Sequence, residues 1–296
     1  MNKEFFSEGT KIQPLWLYWN FVNEKPILKI LLKNIDNNKI VYFPIKLETQ
    51  LDFKVSMDKY CIGYPDEEDN IILCKENKRI HKGIQCEDCM KKDNLFGCVF
   101  CRGHKCFNLK AWSYCQKEEH KLYLAMYTNK FIKIGTSNKK RVYPRLLEQG
   151  AQMALIIANF KTQKEAKLYE SMISKEFSIA QRTNKKIQIE SLFMKLNLEE
   201  SSTKLNELFN KIRQKYKDLD YCSEYVNLFI NKPEKLKVFN KLNFKEEFSI
   251  QGGVSYLQGK NIIVGGNILN MRDLLGKVII IGKKVKIPQK SLFDYN

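Results

Sequence analysis

Residues 121–136 read KLYLAMYTNKFIKIGT. Leu122 to Tyr127 is an apolar and aromatic run, and Phe131 to Thr136 is a second one. Thr128-Asn129-Lys130 separates them with turn-forming residues. Two short runs of β-forming residues on either side of a polar turn predict a hairpin. Beyond it, Pro144 opens a helix that runs to about Gln149, and Gly150 permits the left-handed backbone that stops it. Met153 to Phe160 predicts a third strand. Gln163 to Phe177 predicts a helix with Ala166, Tyr169, Ile173 and Phe177 on one face. The order strand, strand, helix, strand, helix makes this core α+β.

Outward from the core, residues 188–240 read as helical and charged, with core-facing stripes from Leu192, Phe193, Leu196, Leu205, Leu208, Phe209 and Ile212. Phe248 to Ile287 turns to short Val and Ile runs punctuated by Gly252-Gly253, Gly259 and Gly265-Gly266, the pattern of a small barrel. Before the core, Leu15–Trp19, Ile27–Leu32 and Ile40–Phe43 read as strands. The expected organisation is a β-rich domain over 1–80, a zinc-binding segment over 81–120, the core over 121–187, a helical segment over 188–240 and a C-terminal small barrel over 241–296.

The segment before the core holds most of the cysteines. Cys86-x2-Cys89 and Cys98-x2-Cys101 are two knuckles eight residues apart. Four thiolates complete the tetrahedron that zinc prefers, and a closed four-cysteine site is structural. An iron–sulfur cluster is the competing reading for four cysteines. His104, Cys106, Cys115 and His120 offer a second donor set. In the blander reading Cys106 and Cys115 are small buried hydrophobes and His120 is a strand-edge residue. Cys61, Cys74 and Cys222 have no evident partner in the sequence and read as core thiols. One or two zinc ions are therefore expected.

The chain carries 51 basic against 33 acidic residues, a formal net charge of +18. Such a charge attracts polyanions, nucleic acid first. The N-terminus lacks the apolar core of an export signal, no stretch reaches the roughly 20 apolar residues of a membrane span, and the cysteines are spaced for metal. A reducing cytoplasm without membrane attachment is expected.

Tyr123, Lys133-Ile134-Gly135, Arg145 and Glu170 fall where the GIY-YIG endonuclease superfamily keeps its two strand motifs, its helix arginine and its late glutamate. The core from Tyr123 to Glu170 resembles that superfamily. A denser resemblance covers roughly Cys86 to Asn184. Trp112-x2-Cys115, His120-x2-Tyr123-Leu124-Ala125, the Lys133-x-Gly135 stretch, the Arg145-to-Ala151 run and Thr183-Asn184 are similar to domain-of-unknown-function family 2797. The GIY-YIG resemblance implies that Glu170 holds a Mg2+ or Mn2+ ion, Arg145 neutralises phosphate charge and Tyr123 handles the attacking water. Lys133 replaces that superfamily's second tyrosine and Lys121 its first glycine, so phosphate binding can persist without cleavage. Each residue also has a plain reading. Tyr123 can be a packed aromatic, Glu170 can pair with Lys167 or Lys175, Arg145 can brace Glu148, and Lys133 can be solvated.

The leading expectation is a zinc-containing protein that binds nucleic-acid phosphates, RNA before DNA, without cutting them. Lys133, Arg141, Arg145 and Arg182 would contact the backbone, and Tyr127 and Tyr143 would stack on bases if exposed. A metal-dependent endonuclease is the alternative, and a protein-interaction scaffold the second alternative.

Overall fold

In the computed structural model, residues 5–22, 25–66, 70–94, 96, 98, 101, 103, 111–229, 240–241, 246–283 and 285 are described. The protein is α+β and divides into two compact units, residues 1–93 with 233–296 and residues 94–232.

The first unit is built on one nine-stranded sheet. Its N-terminal strands are β1 (Lys11–Val22), β2 (Lys25–Asn34), β3 (Ile40–Ile45) and β4 (Gln50–Lys59). The small pair β5 (Tyr64–Pro65) and β6 (Ile71–Ile72) stands apart. The C-terminal strands β11 (Asn240–Lys241), β12 (Phe248–Gln258), β13 (Asn261–Val264), β14 (Asn267–Asn270) and β15 (Lys277–Ile281) join the same sheet. The strand order is β11-β14-β13-β12-β4-β15-β1-β2-β3. β15 lies between β4 and β1, with Ile279 opposite Val55 and Ile280 opposite Lys11. The β-rich N-terminal domain and the C-terminal small barrel expected from the sequence thus share one sheet. A strand such as β15, buried along most of its length, needs neighbours on both edges, and the N-terminal strands supply them. Trp19 fixes the junction: its indole N–H donates to the Gly259 carbonyl at 2.8 Å.

The second unit holds α2 (Trp112–Lys117), β7 (His120–Thr128), β8 (Phe131–Asn138), α3 (Val142–Gln149), β9 (Met153–Phe160), α4 (Gln163–Glu176), α5 (Lys185–Phe193), α6 (Leu198–Lys215) and β10 (Asp220–Asn227). Its sheet is antiparallel, in the order β10-β9-β7-β8. The central strand β7 is buried on both faces. Leu122, Leu124 and Met126 pack with Ile134, Leu155 and Ile157 against Ala166 and Ile173 of α4 and Leu205, Phe209 and Ile212 of α6. Tyr123, Ala125 and Tyr127 face the other way, against Val142 and Leu146 of α3. This alternation is the period of two that a strand imposes. α3 stops at Gly150 (φ 78°). Thr162 caps α4 by accepting from the Glu165 amide at 3.2 Å. The stretch expected to be helical to residue 240 instead turns into β10, which completes the sheet beside β9.

Candidate functional site

In the first unit the strand end after β4 is paired backward. The Cys61 amide donates to the Lys78 carbonyl at 2.8 Å and the Ile62 amide to Ile84 at 3.0 Å. This pairing carries the following chain to Cys86, which opens the short helix α1 (Glu87–Lys92) and places Cys89 one turn on. Cys61, Cys74, Cys86 and Cys89 thereby bring their sulfurs within 4.8 Å of one another. Cys61, Cys86 and Cys89 are buried and Cys74 is half-buried. The Cys74 and Cys86 sulfurs are 3.9 Å apart, close to the roughly 3.8 Å edge of a tetrahedron with zinc–sulfur bonds of about 2.3 Å. Cys61 Sγ accepts from the Cys86 amide at 3.1 Å and the Gly63 amide at 3.4 Å, as a thiolate does.

Burial pushes the Cys61 thiol up to about 11 and the Cys89 thiol up strongly. Burial acts the same way on Cys86, but hydrogen bonds from Cys89, Cys61 and Cys74 outweigh it and bring it down. Four sulfurs crowded out of water suit a soft tetrahedral dication, and the donor set fits structural zinc.

The sequence spacing had grouped Cys86 and Cys89 with Cys98 and Cys101. The structure gathers Cys86 and Cys89 with Cys61 and Cys74, the two thiols that read as unpartnered core residues. Cys98 and Cys101 belong to the second unit and are half-buried. Of the second expected donor set, His104 and Cys106 lie outside the described residues. Cys115 is buried on α2. His120 is buried at the start of β7, with Nδ1 2.9 Å from the Glu118 carbonyl oxygen, and burial lowers its pKa.

The second unit gathers its polar residues at β8, the edge strand of its sheet. Tyr123 is fully buried opposite Gly135. A Cβ at Gly135 would stand 2.6 Å from the Tyr123 hydroxyl, so only glycine lets the ring lie there. Gln149, at the end of α3, donates its amide N–H to the Tyr123 hydroxyl at 3.0 Å and accepts from the Tyr127 hydroxyl at 3.1 Å.

Lys133 is 8% exposed on β8. The chain beyond α4 runs beside it: Lys133 bridges Ala180, and the Ile134 amide donates to the Ala180 carbonyl at 2.9 Å. Glu170 is 6% exposed and reaches in from α4. Its Oε2 accepts from the Thr136 hydroxyl at 2.7 Å and from Lys167 at 3.1 Å. Arg145 and Arg141 share the Glu148 carboxylate at 3.2 and 2.9 Å.

The charges act on one another. Burial first, then Arg145, Lys167 and Arg182, lower Lys133 to about 7, with Glu170 opposing them. Burial, with Glu170 adding to it and Arg145 opposing, raises Tyr123 to about 12. Tyr123, Lys133, Arg145 and Glu170 thus share one electrostatic neighbourhood. Lys133, whose plain reading was a solvated side chain, is buried instead. The plain pairings of Glu170 with Lys167 and Arg145 with Glu148 are both present.

Other expected contacts fare differently. Tyr127 is fully buried and cannot stack on a base. Tyr143 is half-buried, with its hydroxyl on Glu224. Arg182 is exposed. Thr136 has no signal in the sequence, Lys167 stood out there only as a pairing partner for Glu170, and Gln149 only as the end of a helix.

Among the described residues no helix is long and apolar enough to cross a membrane. No curated protein and no solved structure matches the chain. One family does, a protein of unknown function designated DUF2797, whose pattern runs over residues 48–279 and so spans both the four-cysteine cluster and the sheet with its buried lysine; the chain belongs to that family.

Proposed function

We propose that the protein is a zinc-containing nucleic-acid-binding protein whose second unit grips backbone phosphates at the β8 edge. One observation carries this reading. Five cations, Lys133, Arg141, Arg145, Lys167 and Arg182, lie about the carboxylates of Glu148 and Glu170. A buried lysine whose pKa is lowered first by burial and then by neighbouring cations regains its proton when an anion arrives beside it, which makes the site a receptor for a phosphate-sized charge. The net charge of +18 supplies the long-range attraction.

The GIY-YIG likeness belongs to this proposal. The hairpin with a central first strand, the arginine on the next helix and the glutamate on a later one all support it. RNA is preferred over DNA by analogy with small zinc-containing proteins that bind structured RNA.

Cleavage is the second reading, favoured by the buried Glu170 carboxylate. Its catalytic groups would differ from the expected ones. Tyr123 is raised to about 12 and is a poor base, whereas Lys133, lowered to about 7, is available as a neutral amine. A Mg2+ or Mn2+ ion at Glu170 would compete with Lys167 and Thr136 for Oε2.

The test is binding and scission of labelled single- and double-stranded RNA and DNA, with and without Mg2+ or Mn2+. Binding should weaken steeply with salt. Replacing Arg145 and Arg182 together with alanine should reduce the single-strand salt slope by about 0.7 per lost contact. Binding that ignores salt, or is absent, sinks the proposal and leaves a protein-interaction scaffold. Scission lost in Glu170→Ala would establish the nuclease reading.

A further inference from the structure

The first three strands of the first unit present two unlike faces. Trp19, Leu28 and Ile45 stand opposite one another across β1, β2 and β3, as Ile30 and Phe43 do across β2 and β3. All five are buried. Residues directly opposite in antiparallel strands share a face, so this is the core side. On the other side Tyr18, Lys29 and Pro44 form one row, and Trp16, Leu31 and Tyr42 the next. Tyr18, Lys29 and Pro44 are half-buried, and Tyr42 is 58% exposed. The Tyr18 and Tyr42 rings meet edge-on, with centroids 5.6 Å apart and planes inclined at 65°.

Part of this side is occupied. Ile71, Leu73 and Ile84, from the segment that carries the cysteines, pack in one cluster with Leu31, Trp16 and Tyr18. Tyr42 stands towards the open margin, because β3 ends the strand order of the sheet. Edge strands are commonly blunted by charged side chains, yet β3 reads IVYFPI and has none. The charges lie further in. β1, β2 and β3 contain Lys11, Lys25, Lys29 and Lys33 and no acidic residue. Exposed aromatic surface interleaved with lysine suits a ligand that is flat and apolar on one side and anionic along its length. A base offers a π-face to stack on an aromatic ring, and its phosphate offers a charge to the neighbouring lysine. A duplex keeps its bases stacked inside, so the matching ligand is single-stranded.

We infer that the Tyr18–Tyr42 side of β1, β2 and β3 is a base-stacking platform for single-stranded nucleic acid, with Tyr42 stacking on a base and Lys29 serving the phosphate beside it. The inference rests on the reading of this chain as a nucleic-acid-binding protein and adds a second contact surface, in the other unit from the β8 edge. The two surfaces have different chemistry. The β8 edge takes phosphate charge from any strand, whereas the tyrosine platform needs unpaired bases.

The experiment is fluorescence anisotropy of the full chain with a labelled oligo-uridylate, its oligo-deoxythymidylate counterpart and a labelled duplex. Tyr42→Ala should bind both single strands about tenfold more weakly and the duplex as the parent does. Tyr42→Phe keeps the ring and should bind like the parent. Lys29→Ala should reduce the single-strand salt slope by about 0.7. The combined Arg145→Ala and Arg182→Ala variant should weaken single strands and duplex alike, which reads the β8 edge separately. Single-strand binding that is unchanged in Tyr42→Ala overturns the platform while leaving the β8 reading intact. So does a Tyr42→Phe chain as weak as Tyr42→Ala. A parent that binds no nucleic acid overturns both. Sedimentation of the same samples covers the other occupant: a parent dimer that Tyr42→Ala dissociates, with oligonucleotide binding unchanged, gives this surface to a second copy of the chain.

Discussion

The Tyr123 hydroxyl lies 3.0 Å from the side-chain amide nitrogen of Gln149. The same glutamine accepts from Tyr127 at 3.1 Å, so one side chain at the end of α3 satisfies both fully buried phenols of β7. An unpaired buried hydroxyl costs roughly 1–3 kcal/mol. Gln149→Leu leaves two of them and should destabilise the second unit by about 2–4 kcal/mol, read from chemical denaturation. A variant within about 0.5 kcal/mol of the parent would show that Gln149 does not hold the pair.

Gly135→Ala tests the same ring from the opposite strand. Its new methyl would stand 2.6 Å from the Tyr123 hydroxyl and 2.7 Å from Cζ. The ring is packed among Val142, Leu146 and Ala154 and has no open side to move into. Overpacking of this kind costs about 1–3 kcal/mol. The expected outcome is a lowered unfolding midpoint with an unchanged m-value. A neutral substitution would mean that Tyr123 swings aside.

Local pattern made the second unit readable. Tyr123 and Lys133 alternate with Leu122 and Ile134, and Ala166 and Ile173 recur at helical spacing, so the hairpin and α4 stand in the sequence as periodicities of two and of 3.6. The Tyr123–Glu170 set was legible because each residue sits at a recognisable point of that pattern. What could not be read depends on pairings distant in sequence. β15 is placed by β1 and β4, more than 200 residues away, and no local rhythm says that the two ends of the chain share a sheet. β10 looked helical because its burial is irregular along an edge. Cys61 and Cys74 lack the CxxC spacing that marks a knuckle, and only the backward pairing of residues 61–84 brings them to Cys86. Tight spacing joined Cys86–Cys89 to Cys98–Cys101, yet a boundary between compact units falls between the two knuckles.

Metal removal should act first on the first unit. The Cys61, Cys74, Cys86 and Cys89 sulfurs would hold a metal as thiolates, and protons would compete for them, so affinity should fall as pH falls. A chelator at neutral pH, or acidification without one, should lower the unfolding temperature and expose thiols to an aromatic disulfide reagent. Cys74→Ser should reproduce the loss, whereas Cys222→Ser, a thiol beside the Ile156 carbonyl, should not. Equal thiol exposure with and without chelator would mean that the cluster holds no ion.

Lys133 sets stability against function, and its pH dependence has a definite sign. Burial lowers its pKa from 10.5 to about 7, a penalty on the order of a few kcal/mol for holding the charged form. Below about pH 7 the lysine is charged in both folded and unfolded chains, and the full penalty is present. Between about 7 and 10.5 the unfolded chain binds the extra proton, so this residue's contribution to stability rises with pH. Above 10.5 the penalty is gone. Lys133→Met removes the charge while keeping an unbranched apolar chain. It should therefore stabilise the protein by a few kcal/mol at pH 6, with a gain that shrinks towards zero near pH 10, measured by denaturant unfolding at both values. The same variant should lose salt-sensitive nucleic-acid binding. A residue whose removal strengthens the fold is kept for something other than the fold. A Lys133→Met chain that is less stable at pH 6, or equally shifted at both pH values, would show that the buried ammonium is structural and would remove the main support for an anion site at β8.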